Sequence, residues 1–405
     1  MIKTEGGICA AKGFKAAGIH CGIRKNKSKR DLALIVSEVK ASAAATYTTN
    51  LVKGAPITVT KENIADGFAQ GIICNSGNAN TCNANGIEIA EAMCSLTEQF
   101  TGINATDVIV ASTGVIGQPL DITPIANGME ALVSDLTDDG SLRAAEGIMT
   151  TDTRVKEIAF KFDVDGKECT IGGIAKGSGM IHPNMATMLV FITSDVSIKP
   201  EILQKALSAD VEDSFNMVSV DGDTSTNDMC CVLANGMAGN KVIDSVDSEG
   251  YKAFSKALFA VTSYLCRMIA RDGEGATRLI EVNVSGAATK QIAKTVAKSV
   301  ACSSLLKAAI FGADANWGRV LCAIGYSGAD LDVNKVGVCF KSSAGTIEVC
   351  RNGAGVDFSE EIAKEILLKE EIQILITLDS GDAEATAWGC DLTYDYVKIN
   401  GDYRT

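Results

Sequence analysis

The sequence contains few of the residues and patterns on which many enzymes and membrane proteins depend. Its 405 residues include only two histidines, His20 and His182, five prolines and two tryptophans. No stretch reaches the roughly 18 consecutive apolar residues that a membrane-spanning helix needs, and the N-terminus lacks the continuous apolar segment of a secretory signal. We therefore expect a cytoplasmic protein without a membrane partner.

Several common catalytic and cofactor motifs are also missing. The chain has no G-x-S-x-G segment, which together with the scarcity of histidine disfavours a Ser-His-Asp hydrolase. Neither a G-x-G-x-x-G segment nor a G-x-x-x-x-G-K-[ST] phosphate loop occurs. The 14 cysteines form no C-x-x-C pair, which predicts reduced thiols and no zinc or iron–sulfur ligands. The sequence thus predicts no bound metal and no resident cofactor.

The charge balance argues against a nucleic-acid partner. Lysine and arginine number 37 against 50 aspartates and glutamates, a net charge of −13 at pH 7. Binding to a phosphate backbone is driven by neutralisation with lysine and arginine, which an acidic chain supplies poorly. Small molecules are the expected partners.

What the sequence does contain is an alternation of short apolar runs, helical patterns and glycine. Apolar runs at 31–39, 71–77, 107–114 and 187–195 predict strands, and apolar residues three or four apart predict helices over 86–98 and 253–271. The expected fold class is mixed α/β. The 39 glycines exceed the roughly 28 expected from typical usage and indicate tight loops at strand ends, where sites often lie.

One threonine stands where a turn-prone stretch meets an apolar run, in "KGSGMIHPNMATMLVFITSD" at 176–195. At the start of a buried strand, the hydroxyl of Thr187 would be held rigidly towards whatever the loop encloses. Threonine is also a good strand former, so packing is the ordinary explanation, and spacing alone favours it. His182, next to Pro183 in a turn, is predicted to be a solvated loop side chain.

Other polar loops leave similar alternatives open. The segment "ASTGVIG" at 111–117 offers a hydroxyl and a backbone N–H beside glycine, which could form an oxyanion hole or begin a helix. The loop "NSGNANTCNANG" reads as a set of turns or as a polar ligand loop. Possible carboxylate or metal sites occur in "TTDT", "SVDGDTSTND" and "GADANWGR". No single loop decides the function.

Taken together, ten segments in order resemble the ornithine acetyltransferase family, the glutamate N-acetyltransferases of arginine biosynthesis. They are "GFKAAGIHCGIR", "DLALIVSE", "NSGNANTC", "ASTGVIG", "MTTDT", "KGSGMIHPNMATMLVFITSD", "VDGDTSTND", "ARDGEGATRLIEV", "FGADANWGRV" and "INGDYRT". The resemblance implies an α/β fold with sheets sandwiched by helices. It further implies the logic of N-terminal-nucleophile hydrolases on a different topology.

The resemblance also implies that the chain cuts itself between Ala186 and Thr187. The products would be an alpha chain, 1–186, and a beta chain, 187–405, assembled as a heterotetramer with two copies of each. Cleavage would free the α-amine of Thr187, whose reference pKa of about 8 lets it take the hydroxyl proton near neutral pH. Such a nucleophile needs no histidine.

Carried over residue by residue, the resemblance gives Thr187 the role of nucleophile in transferring an acetyl group from N-acetylornithine to glutamate. The Thr113 hydroxyl and the Gly114 N–H would hold the oxyanion. The implied substrate contacts are Thr150, Lys176, Thr187, Glu274, Asn400 and Thr405, with Thr151 as an alternative to Thr150. Lys176 suits a carboxylate and Glu274 a cationic amine, although surface ion pairing is the ordinary explanation for both.

Two other functions remain open at this level. A self-cleaving amidase or aminopeptidase would pass the acyl group to water and need no glutamate. A binding protein without activity is disfavoured because the nucleophile, the oxyanion pair and Lys176 are all present. Acetyl-CoA is a possible co-substrate, and the lack of a recognisable coenzyme A motif tilts slightly towards N-acetylornithine as the only donor.

Overall fold

The computed structural model of the protein describes residues 1–182 and 188–401. These residues form two compact units that are interleaved along the chain. The first unit comprises residues 1–177, 188–212 and 224–265, and the second comprises 178–182, 213–223 and 266–401. The predicted alpha and beta chains cut across both units, and that division stays a prediction.

Sixteen strands and eleven α-helices form within the described residues. The strands are β1 (Ile2–Thr4), β2 (Phe14–Ile19), β3 (Leu32–Tyr47), β4 (Phe68–Asn78), β5 (Val108–Val115), β6 (Lys156–Val164), β7 (Lys167–Lys176), β8 (Leu189–Ser194), β9 (Val218–Ser219), β10 (Met229–Ala234), β11 (Leu279–Ala287), β12 (Gly337–Ser342), β13 (Gly345–Arg351), β14 (Ala354–Gly355), β15 (Glu371–Thr377) and β16 (Ala383–Cys390). The helices are α1 (Ala55–Asn63), α2 (Gly86–Thr101), α3 (Thr123–Ser134), α4 (Ser141–Ile148), α5 (Pro200–Asp213), α6 (Glu249–Arg271), α7 (Lys290–Cys302), α8 (Ser304–Phe311), α9 (Trp317–Gly325), α10 (Glu360–Leu367) and α11 (Tyr394–Gly401). No helix of this part of the chain is both long and apolar enough to cross a membrane.

The first unit is built on a nine-stranded sheet. Its order is β1-β6-β7-β8-β10-β3-β4-β5, with β2 paired to β3. Neighbouring residues of β4 pack into different cores: Ile72 lies in the cluster that contains the buried residues of α4, whereas Ile73 lies in the cluster that contains those of α2 and α3. Because successive side chains point to opposite faces, strands covered on both faces read as continuous apolar runs.

The second unit is built on a seven-stranded sheet in the order β14-β13-β12-β15-β11-β16-β9. Strands β11 and β15 are parallel, as are β16 and β9. Helix α7 packs against β11 and β16, and α10 packs against β12. The predicted α/β class with helix-flanked sheets is therefore confirmed.

The predicted elements match the observed ones, with one notable extension. Strand β3 continues to Tyr47, well past the predicted end at residue 39, because "ASAAATY" pairs with β10. Alanine has no strand preference of its own, so this extension depends on a strand almost 190 residues later. Helix α2 begins at the predicted residue 86 and ends before Gly102, whose φ of +77° supplies the left-handed stop.

Phe191 provides a test of the first unit's core. It lies fully buried in the middle of β8, so Phe191→Ala should lower the free energy of unfolding by about 3–5 kcal/mol. Phe259→Ala, which truncates the same side chain at an exposed position of α6, should cost only about 0.5 kcal/mol. Urea unfolding followed by circular dichroism measures both. Equal losses would show that β8 is not part of the core.

Candidate active site

The oxyanion candidates Thr113 and Gly114 lie at the end of β5, beside the end of β4. The two strands run parallel, with Gly114 opposite Gly77. Gly114 has a φ of +133°, which residues with a Cβ rarely adopt, and a Cβ there would lie 2.4 Å from the carbonyl carbon of Gly77. The close approach of the two backbones therefore requires glycine at position 114.

Lys176, the last residue of β7, contacts Thr113 directly. Its Nζ donates a hydrogen bond of 3.3 Å to the Thr113 Oγ1, and both residues are only 9% exposed. An ammonium group can only donate, so the Thr113 oxygen accepts and its own hydrogen remains available to another acceptor. A hydroxyl donor beside a buried cation is suited to stabilise negative charge that develops on a carbonyl oxygen.

Asp152 holds the end of β7 in place. Its side chain accepts hydrogen bonds from the Lys156 Nζ (2.6 Å), the Gly177 N–H (2.7 Å) and the Thr150 N–H (3.0 Å). Burial alone would raise the pKa of Asp152, but the charges of Lys156 and Lys176 and these hydrogen bonds lower it below its usual value. The carboxylate thus compensates two buried lysines, which would be costly without it.

A second buried acid, Asp228, interacts electrostatically with Lys176. Burial lowers the pKa of Lys176, and Lys156 lowers it further, while Asp152 and Asp228 oppose the shift. Burial raises the pKa of Asp228 well above its usual value, although Ser225, Lys176 and Thr48 act in the opposite direction. Asp152 is the main counter-charge of Lys176.

In the second unit, the structure brings Glu274 and Asn400 together. The Asn400 Nδ2, on α11, donates a hydrogen bond of 2.9 Å to the Glu274 Oε2. Glu274 is 9% exposed, and no lysine, arginine or histidine of the described residues forms an ion pair with it. A mostly buried carboxylate with one neutral partner retains capacity for a cation.

The remaining predicted site residues divide into two groups. Thr150 and Thr151 are both half-buried, and only the Thr150 backbone contacts Asp152, so the choice between their side chains stays open. Ala186, Thr187 and Thr405 lie outside the described residues. Within residues 1–182 and 188–401, no cluster of histidine, cysteine, aspartate and glutamate could hold a metal ion.

His182 differs from the prediction of a solvated loop side chain. It is half-buried, and its Nδ1 lies 3.1 Å from the Ser219 Oγ and 3.6 Å from the Cys302 Sγ. Burial lowers the pKa of His182 to about 4. The prediction was wrong because Ser219 and Cys302 are far away in sequence and reach the turn only through the fold.

Sequence reasoning missed three side chains near the candidate site. Asp152 lies in "TTDT" and Asp228 in "SVDGDTSTND", two turns interpreted as possible carboxylate sites without a role for either aspartate. Arg24 ends the motif "GFKAAGIHCGIR", and its guanidinium donates to the Ser76 and Met149 carbonyls, joining the end of β4 to the residue before Thr150. The acidic turns were a usable signal for both aspartates. For Arg24 there was no such signal other than its position in the motif.

Comparison with known proteins decides the family. The ArgJ family model matches residues 15–405. The chain belongs to the ArgJ family. Among curated relatives, the arginine biosynthesis bifunctional protein ArgJ of Caldanaerobacter subterraneus subsp. tengcongensis is 51% identical over 406 residues, covering 100% of both chains. The protein of the same name from Bacillus subtilis is 46% identical over 407 residues, covering 100% of this chain and 98% of its own.

A solved ArgJ structure resembles part of this chain. The crystal structure of the arginine biosynthesis bifunctional protein argJ from Bacillus halodurans contains a chain 46% identical to this one, with a TM-score of 0.50. The match covers 98% of that solved chain but only 53% of this one. The solved chain is therefore about half as long as this member of the ArgJ family.

The contact between Lys176 and Thr113 predicts how this site responds to mutation. Thr113→Val keeps the shape but removes the hydroxyl, so ornithine release from N-acetylornithine should slow by about 10²–10³-fold. Thr113→Ser keeps the hydroxyl and should restore turnover to within about tenfold of the unmodified protein. Thermal unfolding of both variants controls for folding. If the valine variant retained more than half of kcat, Thr113 would have no oxyanion role.

Proposed function

We propose that this protein transfers the acetyl group of N-acetylornithine to glutamate in arginine biosynthesis, as a cytoplasmic enzyme acting on small molecules. Family membership over residues 15–405 supports the reaction class, and the curated relatives carry names in arginine biosynthesis. The observation that carries the proposal is the contact between Lys176 and Thr113 beside Gly114. At this contact, the hydroxyl donor of Thr113, the cation of Lys176 and the constrained backbone of Gly114 lie close together, where β5 and β7 end.

In the proposed reaction, the Thr187 Oγ attacks the acetyl carbonyl carbon while the freed α-amine takes the hydroxyl proton. The carbonyl oxygen becomes negative and accepts hydrogen bonds from the Thr113 hydroxyl and the Gly114 N–H. Collapse breaks the C–N bond, and ornithine leaves with that proton. The glutamate amine then attacks the acetyl-threonine ester and restores the hydroxyl. The role of Thr187 rests on the family resemblance.

The chemistry of Glu274 supports an amino-acid substrate. Ornithine carries two amines, and the mostly buried Glu274 carboxylate has a neutral hydrogen-bond partner in Asn400. A cationic amine would supply the missing counter-charge. Lys176 is the implied partner of a substrate carboxylate, and its hydrogen bond to Thr113 gives it a second effect, orienting the hydroxyl of the oxyanion site.

A length comparison supports self-cleavage before Thr187, and the strand pairing explains how the cut chains would stay together. Strands β8 and β10 belong to the proposed beta chain, and they pair with β7 and β3 of the proposed alpha chain. The cut chains would therefore remain joined by sheet hydrogen bonds. The matched part of the solved Bacillus halodurans chain, 53% of 405 residues, is about 215 residues. The residues that follow Ala186 number 219, a very similar length.

We further propose acetyl-CoA as a second acetyl donor and a heterotetramer as the assembly. The relatives are named bifunctional, which favours two activities over the single-donor form that the missing coenzyme A motif suggested. Incubating the protein with acetyl-CoA and glutamate, without N-acetylornithine, tests the donor. The assembly of two alpha and two beta chains rests on the resemblance, and light scattering of the purified protein measures it.

Self-cleavage should be visible on denaturing gels. Purified protein should give two chains, 1–186 and 187–405, while a native gel shows one species because β8 pairs with β7. N-terminal sequencing of the second chain should begin at Thr187. Thr187→Ala should remain uncut, and Thr187→Ser should be cut, at a lower rate. A fully active protein that stays intact would contradict the mechanism.

The covalent intermediate separates acetyl transfer from hydrolysis. Protein incubated with N-acetylornithine alone should gain one acetyl group on the 187–405 chain and release ornithine in a stoichiometric burst. Adding glutamate should discharge the acetyl group, and double-reciprocal plots should be parallel. Mass spectrometry of the separated chains makes the measurement. An adduct that decays at one rate with and without glutamate would favour the amidase instead.

A further inference from the structure

The residues before the proposed cut, 178–182, are bound to the second unit along their whole length. The Ser178 Oγ donates a hydrogen bond of 2.6 Å to the Asp272 carbonyl, and the Ser178 carbonyl accepts one of 3.0 Å from the Glu274 N–H. The Ile181 carbonyl accepts a hydrogen bond of 2.7 Å from the Val220 N–H. We call residues 178–182 the 178–182 loop.

Two residues of this loop have restricted backbones. A Cβ at Gly179 would lie 2.4 Å from the carboxylate of Glu274, so a larger residue there would have to displace that side chain. Met180 has a φ of +57°, in the left-handed region that a residue with a long side chain rarely occupies. Such a conformation persists only when the surroundings impose it, and it is concentrated at functional sites.

Asp221 imposes that conformation. Its Oδ2 accepts a hydrogen bond of 2.6 Å from the Met180 N–H, and its Oδ1 accepts one of 2.8 Å from the Ile181 N–H. Two consecutive N–H groups thus point at the two oxygens of one side chain. An asparagine has one oxygen and an NH₂ group that cannot accept, so it cannot reproduce this pair.

Asp221 also contacts the helix that carries Asn400. The Tyr396 hydroxyl, on α11, hydrogen-bonds to Asp221. Burial is the main cause of the raised pKa of Tyr396, and the neighbouring Asp221 raises it further. The side chain therefore accepts from four donors: the Met180, Ile181 and Asp223 N–H groups and the Tyr396 hydroxyl. None of them belongs to the oxyanion residues or to the implied substrate contacts.

We propose that Asp221 is a positioning residue for self-cleavage, holding the 178–182 loop in the conformation from which the chain enters the Ala186–Thr187 bond. This inference rests on the proposed function. In that step, the Thr187 Oγ attacks the Ala186 carbonyl carbon, the C–N bond breaks and an ester forms, with the hydroxyl proton passing to the new amine. Water then hydrolyses the ester, leaving a carboxylate on Ala186. Misplacing a reacting group by ~1 Å costs on the order of 10²-fold in rate.

The test is the rate of cutting in newly made protein. Full-length chains are synthesised in a cell-free system with a short pulse of labelled methionine, and uncut chain is followed over time on denaturing gels. Asp221→Asn should slow cleavage by roughly 10- to 100-fold. Asp223→Asn is the matched control, because it makes the same change at an exposed position two residues away and leaves the Asp223 N–H bond to Asp221 in place. The Asp223→Asn variant should be cut at the same rate as the unmodified protein.

Two further measurements separate positioning from general stability. Tyr396→Phe removes the contact to α11 but keeps both loop hydrogen bonds, so it should alter the cleavage rate by less than about twofold. Hydroxylamine, a strong nucleophile, speeds breakdown of an ester already formed. It should not restore cutting of Asp221→Asn, because the variant is slow before the ester forms. Circular dichroism and thermal unfolding of the uncut chains should match those of Thr187→Ala.

The contrary outcomes are equally defined. Cutting of Asp221→Asn at the unmodified rate would overturn the inference while leaving the acetyl-transfer proposal intact. Slow cutting that hydroxylamine fully restores, or an equal loss in Tyr396→Phe, would also overturn it, placing the effect on hydrolysis or on α11. An unmodified protein that is never cut would reject both the inference and the proposed mechanism. A protein that is cut but transfers no acetyl group would reject the acetyl-transfer proposal and leave the inference about Asp221 intact.

Discussion

Strand β8 pairs with β7 on one side and with β10 on the other, and the candidate site of the first unit depends on this double pairing. The β7 pairing sets Lys176 beside Leu189, and the β10 pairing sets Leu189 beside Met229. The last residue of β7 therefore lies level with the first residues of β8 and β10, at the edge where Lys176 contacts Thr113. A one-residue slip in either ladder would turn each side chain of the strand to the other face.

Buried charge is the second constraint on this edge. Lys156 and Lys176 are both buried, and Asp152 is their shared counter-charge. The Asp152 carboxylate also accepts hydrogen bonds from the Gly177 and Thr150 N–H groups. The group that stabilises the charges of the two lysines therefore also fixes the backbone at residues 150 and 177. The arrangement places a cation against a hydroxyl in a water-poor environment, where electrostatic interactions are stronger than in water.

In the second unit, acidic residues also bind more than one segment of the chain. Glu274 and Asp221 each hold one part of the 178–182 loop and one part of α11, through Asn400 and Tyr396. The loop that leads towards the proposed cut and the helix that carries an implied substrate contact thus share their anchors. Asp221 joins the two segments through its carboxylate. Glu274 joins them through its backbone N–H, which binds the Ser178 carbonyl, and its carboxylate, which binds Asn400.

The sequence alone determined the α/β class, four strands of the first sheet, the helices α2 and α6, and, through ten ordered motifs, the family and the implied site residues. The class and the elements follow from local apolar periodicity, and the family and its implied site residues follow from the order of the motifs. Only the tertiary structure decided the length of β3 and the half-buried position of His182. It also decided that Asp152 compensates the charges of two buried lysines and that Asp221 accepts hydrogen bonds from the Met180 and Ile181 N–H groups. Each of these depends on groups brought together from distant parts of the chain, and neither composition nor spacing carries the distance between such groups.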